Sequence, residues 1–164
     1  MKKLFGILMA LVLALALLPT TVFAAEEVAK IDDGTTYATL EEAVRAVKEG
    51  GTVTLLKSTT GCGIGTFRNP KAGQIAAKSF TIDFGGFTYT VKDPAVGSTG
   101  YETQGFHLEW SGKGDANHNV TLKNGTIEAA KGTKNAKMLV QKYCNLTLDN
   151  MVLDGANLAG NQAY

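Results

Sequence analysis

The sequence predicts an all-β protein of stacked coils, with one short helix near its start. Three observations carry this. "NVTLKNGTIEA" (Asn119 to Ala129) is echoed 26 residues later by "NLTLDNMVLDG" (Asn145 to Gly155). Short alternating apolar runs fill most of the chain, which holds 19 glycines and three prolines. That composition suits many corners and no long helix. Only "TLEEAVRAVKEGG" shows the apolar spacing of an amphipathic helix.

Residues 1–24 stand apart. Lys2 and Lys3 precede an apolar run of 15 residues, Leu4 to Leu18, closed by Pro19. Val22 and Ala24 suit the −3 and −1 sites of signal peptidase, so residues 1–24 read as a secretory signal peptide. The run is shorter than the roughly 20 apolar residues that span a bilayer. Without Lys2 and Lys3, 14 Lys and Arg face 15 Asp and Glu, a formal charge of −1. Such a balance argues against a nucleic-acid partner, which calls for a clustered basic face. No later segment is long and apolar enough for a membrane, so the expected location is extracellular.

Residues 25–51 read as an N-terminal cap. "KIDDGTTY" is a strand, a turn at Asp33-Gly34 and a strand. The helix is placed at 39–49. Thr39 is its N-cap, and Glu42 completes a capping box. Leu40, Ala43, Val44 and Val47 make its apolar face, and Gly50 and Gly51 end it. Residues 52–164 read as coils. "TVTLL", "SFTIDFGGFTYTV", "GFHLEW", the two echoing segments and "KMLVQKYC" alternate as strands. "KSTTGCGIGTFRNPKAGQ" and "KDPAVGSTGYETQ" read as loops, with "GCGIG" flexible.

The echo has a physical meaning. Val120 matches Leu146, Leu122 matches Leu148, Asn124 matches Asn150 and Ile127 matches Leu153. A period in the twenties built from short strands points to a solenoid. Each coil then needs neighbours to bury its apolar face. Asn124 and Asn150 are expected to turn the corner, since Asn tolerates left-handed backbone. Stacked about 4.8 Å apart, their amides would form an internal ladder.

"VTLKNGTI" and "LTLDNMVL" resemble coils of the pectate-lyase-like superfamily. "YATLEEAVRAVKEGGTVTLL" resembles the helix-then-strand entry that caps such proteins, as in large secreted and surface proteins of Gram-positive bacteria. The resemblance implies a right-handed parallel β-helix of about four to five coils with an N-terminal capping α-helix. An antiparallel β-sandwich would need neither the opening helix nor the recurring Asn. The final "ANLAGNQAY" carries no closing helix, so truncation at the C-terminus is the expectation, with self-association through the uncapped last coil.

The residues give little chemistry. A lyase of this superfamily needs clustered acids for Ca²⁺ and a basic residue; here the only acids stacked at the coil interval are Glu128 and Asp154. Asp83 and Asp149 share an outward face, without a motif. Arg45 and Arg68 show no acidic company, and His107 and His118 are too far apart in sequence for a metal pair. No catalytic residue, metal or cofactor is expected. The sequons at Asn119, Asn124 and Asn145 are not expected to carry glycans in a bacterial protein. Cys62 and Cys144 permit one disulfide, or stand as two thiols. Carbohydrate binding is the better expectation. Trp110 beside Glu109, and Tyr101, are the candidate sugar-binding residues, while Phe87 and Tyr89 are expected in the core. The functional expectation is thus a non-catalytic segment of a bacterial surface or adhesin-like protein. The alternative is the N-terminal part of a polysaccharide lyase or glycoside hydrolase. The partner in either case is a cell-surface or host polysaccharide.

Overall fold

The computed structural model describes residues 26–110 and 117–161. The expected signal peptide lies outside the described residues. The fold is all-β with one short helix. In chain order its elements are β1 (Ala29–Ile31), β2 (Thr36–Tyr37), α1 (Leu40–Ala46), β3 (Thr52–Leu55), β4 (Thr59–Gly61) and β5 (Ile64–Phe67). There follow β6 (Ile75–Ala76), β7 (Phe80–Asp83), β8 (Thr88–Val91), β9 (Gln104–Leu108), β10 (Asn119–Ala129), β11 (Met138–Lys142) and β12 (Asn145–Asp154). A 3-10 turn, Ala159–Asn161, comes last.

β1 and β2 form the expected hairpin, Ala29 opposite Tyr37. Its turn places Gly34 at φ 86°, and the Asp33 carboxylate accepts the Thr35 N–H at 2.9 Å. Thr39 caps α1: its Oγ1 accepts the Glu42 N–H at 3.1 Å and its hydroxyl donates to the Glu42 carboxylate at 2.9 Å. Leu40, Ala43, Val44 and Val47 are all buried. The helix ends at Ala46, short of the expected end at 49. Two things stop it early. Val47 turns to ψ 139°, and the Lys78 ammonium donates to the carbonyls of Arg45 and Val47, which a further turn would have used. Arg45 does have acidic company, Glu41 one turn back at 2.7 Å.

Beyond the hairpin the strands run parallel in three stacks. The first is β3, β7, and the first arms of β10 and β12. The second is β4, β8, and the second arms of β10 and β12. The third is β6, β5, β9, β11. Registers align side chains of one kind. Val53 lies beside Ile82, Ile82 beside Leu122 and Leu122 beside Leu148. Val53, Ile82 and Leu122 are 0 % exposed. Tyr89, Ile127 and Leu153 make a similar row in the second stack. Ile64, Phe106 and Val140 make one in the third. Each fully buried side chain contributes about 1.5–3 kcal/mol.

The two arms of β10 meet at a corner. Asn124 has φ 59° and Asn150 has φ 51°, the left-handed region that Asn tolerates better than most residues. Gly85 takes φ 60° at the same corner one strand earlier. Asn150 Nδ2 donates to Asn124 Oδ1 at 3.3 Å, and Asn124 Nδ2 donates to Asp83 Oδ1 at 3.2 Å. The expected ladder therefore exists, with an aspartate at its foot. It is not internal: Asn124 is half-buried and Asn150 exposed, because the corner lifts the amides off the core. A parallel ladder joins Asn145 Nδ2 to Asn119 Oδ1 at 3.1 Å. Gly125, next to the corner, lies over Phe84, and a Cβ there would come within 2.6 Å of Phe87 O.

One further expectation needs correction, and one open alternative is decided. The stretch 57–74 is not a flexible loop; it holds β4 and β5. Its glycines hid the strands because they stand where other groups fill the space. A Cβ on Gly63 would lie 2.9 Å from Gln104 O, and one on Gly65 2.6 Å from the Phe67 ring. Cys62 and Cys144 are separate thiols. Cys62 follows β4, whereas Cys144 joins β11 to β12. They sit at different corners and two strand layers apart, about 10 Å along the stacks, beyond the reach of a disulfide.

Asp93 ties two loops together. Its carboxylate accepts the Lys134 N–H at 2.7 Å, the Asn135 N–H at 3.1 Å and the Thr133 hydroxyl at 3.0 Å. The Lys134 N–H is the main cause holding this carboxyl below its ordinary value. A lowered folded-state pKa gives stability that is present above the unfolded value, about 3.9. That stability is lost as pH falls through the folded value. Urea midpoints measured at pH 6 and pH 3 should drop for the wild type and drop less for Asp93→Asn.

The corner gives a second expectation. Asn124→Ala should lose about 2 kcal/mol, from a left-handed Ala and two lost amide hydrogen bonds. Asn124→Gly, which keeps the backbone, should lose less. Chemical denaturation of both variants measures the difference.

Candidate functional site

The outward side of the third stack gathers the polar and aromatic side chains that the core does not use. β9 ends in His107 and Leu108, and Glu109 and Trp110 follow. His107 and Glu109 are two residues apart, so strand alternation sets them on one side. His107 Nε2 lies 3.1 Å from Glu109 Oε1. The other carboxylate oxygen accepts the Arg68 N–H at 2.7 Å. Neighbouring strands supply rings on either side. Phe67, ending β5, lies 5.3 Å from the His107 ring, and Tyr143, just after β11, lies 5.6 Å from it edge-on. His107 is 0 % exposed within this strip, and its Nδ1 has no hydrogen-bond partner among the described residues. The Arg68 guanidinium sits 5.2 Å from the centre of the Trp110 ring, in cation–π range.

Beside the strip lies a cleft of about 330 Å³, lined by Ser98, Tyr101, Thr103, Gln104, Met138, Gln141 and Tyr143. Tyr101 is 74 % exposed and Tyr143 51 %. The wall carrying Tyr101 is the segment between β8 and β9. It is fixed by Gln104, whose Nε2 donates to Tyr101 O at 3.2 Å and to Thr103 Oγ1 at 2.8 Å. The Lys137 N–H donates to Thr103 O at 2.7 Å, tying the wall to the start of β11. Gln104 Oε1 is buried without a partner in the described residues. No carboxylate, histidine or cysteine among the described residues lines the cleft. It offers aromatic faces, amides and hydroxyls.

The sequence-selected residues divide between two places. Tyr101 is in the cleft. Glu109 and Trp110 are in the strip with Arg68 and His107. The Glu109 carboxylate is not a free ligand group, since His107 and the Arg68 N–H already occupy it. Tyr143 joins the two places, touching His107 and lining the cleft. Sequence reasoning passed over Tyr143, although a signal existed. Cys144 shares the alternation of Leu146 and Leu148, which sends its neighbour Tyr143 to the other side.

The two aspartates expected to share an outward face have a lysine between them. Asp83 and Asp149 both flank Lys123 in register, and the Lys123 ammonium lies 3.3 Å from Asp83. Burial alone would raise the Asp83 pKa. Hydrogen bonds from Gly85 N–H, Asn124 and Lys123 outweigh it, and the carboxyl lies below its ordinary value. Glu128 is stacked beside Asp154 as expected and accepts the Thr90 hydroxyl at 2.7 Å. Phe87 is half-buried and Tyr89 buried, the latter donating to Cys62 O at 2.7 Å. Among the described residues no group of three or more His, Cys, Asp or Glu is placed to hold a metal, and no helix is long and apolar enough to cross a membrane.

No protein-family model, curated protein or solved structure matches this chain.

Glu109→Ala would leave the buried His107 ring and the exposed Arg68 N–H without their acceptor. The expected loss is about 1–3 kcal/mol in urea unfolding. An unchanged midpoint would show that the carboxylate does not hold the strip together.

Proposed function

We propose that the protein is a right-handed parallel β-helix of the pectate-lyase-like kind, capped by α1. In this reading it is a secreted segment of a bacterial surface protein that binds a carbohydrate without turning it over. One observation carries the binding: two exposed tyrosines, Tyr101 and Tyr143, stand at a neutral cleft with amides and hydroxyls between them. A tyrosine ring gives the C–H face of a sugar an apolar platform, and its hydroxyl stays wet. Gln141, Ser98 and Thr103 supply the donors and acceptors that sugar hydroxyls need. The volume, about 330 Å³, falls in the range of small-molecule sites, about 300–1,000 Å³.

The fold reading rests on three parallel stacks visited in turn, with the 26-residue register between β10 and β12. Parallel strands joined without helices leave a coiled path as the simplest connection. The helix on the first strands supports the cap, since solenoids need their ends covered. The alternative is the N-terminal part of a polysaccharide lyase or glycoside hydrolase. It is disfavoured by Lys123 between Asp83 and Asp149, which gives the carboxylates a cation to face rather than a scissile bond.

Affinity electrophoresis through gels holding single polysaccharides tests the proposal. Retardation by at least one of them is expected. Tyr101→Ala and Tyr143→Ala should each weaken it about tenfold, or ~1.4 kcal/mol, while Asp83→Asn leaves it unchanged. Pectin, pectate and xylan should yield no unsaturated products or new reducing ends. Retardation by none of the polysaccharides would remove the binding reading. Product formation lost in Asp83→Asn or Asp149→Asn would replace it with the enzyme.

A further inference from the structure

Among the described residues, β12 is the one strand of the first two stacks whose inner side chains lack cover. Leu148 is 46 % exposed and Leu153 41 %. Their equivalents one layer down, Leu122 and Ile127, are 0 % exposed. One edge of β12 pairs with β10, and the other has no partner among the described residues. An open apolar edge of this kind is a template for another strand.

We propose that two copies of this chain join tail to tail through β12, antiparallel, about a two-fold axis through the Asp149–Asn150 corner. The strand is bent there by Asn150 at φ 51°. A two-fold axis along the bisector of a bend exchanges its arms. It lays the first arm of one copy on the second arm of the other, running oppositely. The sequence is matched to that exchange. Read from both ends, "NLTLDNMVLD" pairs Leu146 with Leu153 and Leu148 with Met151. Thr147 then meets Val152, Asn145 meets Asp154 and Asp149 meets Asn150. Each carboxylate faces an amide donor, and no two carboxylates oppose each other.

The backbone agrees with the same register. The Asn145 N–H turns back to His118 O. Alternation therefore sends the amides of Leu146 and Leu148 to the free edge. Val152 stands in register with Thr126, whose N–H turns back to Phe87 O. Met151 and Leu153 then also face the free edge. The pairs that bring leucine to leucine and leucine to methionine are thus the pairs that exchange backbone hydrogen bonds. The corner makes this work, because it shifts the inward alternation from even to odd residue numbers. A slip of one residue would set inward side chains against outward ones. A slip of two in one direction would put Asp149 against Val152.

The other end of the molecule limits the alternatives. β3 is covered on its outer edge by β1, and β1 by β2, while α1 buries Leu40 and Val44 against these strands. On the first stack, head-to-tail stacking would meet the short strand β2 rather than β3, whereas the two-fold pairing uses the same strand of both copies and closes on itself as an isologous dimer.

Sedimentation velocity of the purified protein from micromolar to hundred-micromolar concentration should show a dimer and nothing larger. Leu148→Arg enters the interface twice and should raise the dimer dissociation constant about 100-fold with unchanged circular dichroism. Cross-linking checks the register independently. The double variant Thr147→Cys, Val152→Cys should oxidise to a covalent dimer, and Asn145→Cys, Val152→Cys should not. A monomer at all concentrations, an open series of larger species, or equal cross-linking of both cysteine variants would overturn the proposal.

Discussion

The left-handed corner at Gly85, Asn124 and Asn150 is the constraint on which the other features rest. It turns each long strand without interrupting its pairing to the layer below. It also resets which residues point inward, so that Leu122 and Ile127, five residues apart, both reach the core. A straight strand would send one of them outward. Only a few residue types hold positive φ at small cost. Asn adds an amide that satisfies its neighbour along the stack. The ladder from the Asp83 carboxylate through Asn124 to Asn150 therefore ties the bend of one layer to the bend of the next.

This dependence explains what was legible in the sequence. Asn124 and Asn150 were readable because a left-handed residue with a ladder-forming side chain has few substitutes. The hairpin at Asp33-Gly34 and the cap at Thr39 were readable for the same reason, since each needs a specific local chemistry. β4 and β5 were not readable. Gly61 holds an inner position of β4 under the Tyr89 ring, and Gly63 and Gly65 flank the inner Ile64, where Gln104 and the Phe67 ring take the space. A strand whose packing is supplied by other strands leaves no apolar alternation of its own. The end of α1 was missed for a related reason. Lys78, far along the chain, takes the last carbonyls, and no local pattern encodes that contact.

The candidate site was half legible. Tyr101 and Trp110 stood out as aromatics among polar residues. Tyr143 did not, because its role depends on β11 lying beside β9. Glu109 was named as the neighbour of Trp110, and the structure engages its carboxylate with His107 and the Arg68 N–H. The useful signal was strand alternation at the ends of β9 and β11, which places His107, Glu109 and Tyr143 on the outward side together.

The unequal layer lengths show where the fold has room for binding. From β10 to β12 the register advances by 26, as from Asn119 to Asn145. From β7 to the first arm of β10 the advance is 40, the separation of Ser79 from Asn119 just before the paired residues. The bare layer is therefore the shorter one, and the longer one carries insertions. Part of the excess is the glycine pair at the corner, Gly85 and Gly86. Past it the advance falls to 38, as from Thr90 to Glu128. The rest falls on either side of β9, in residues 92–103 and 109–118. The first insertion carries Tyr101 and is anchored by Gln104 and Asp93. Insertions around a rigid scaffold are where binding residues concentrate. The core row of Val53, Ile82 and Leu122 stays in register, although the segments flanking β9 are longer than their counterparts in the next layer. The cleft thus lies against a segment that lengthens one layer while the stacks on either side keep their register.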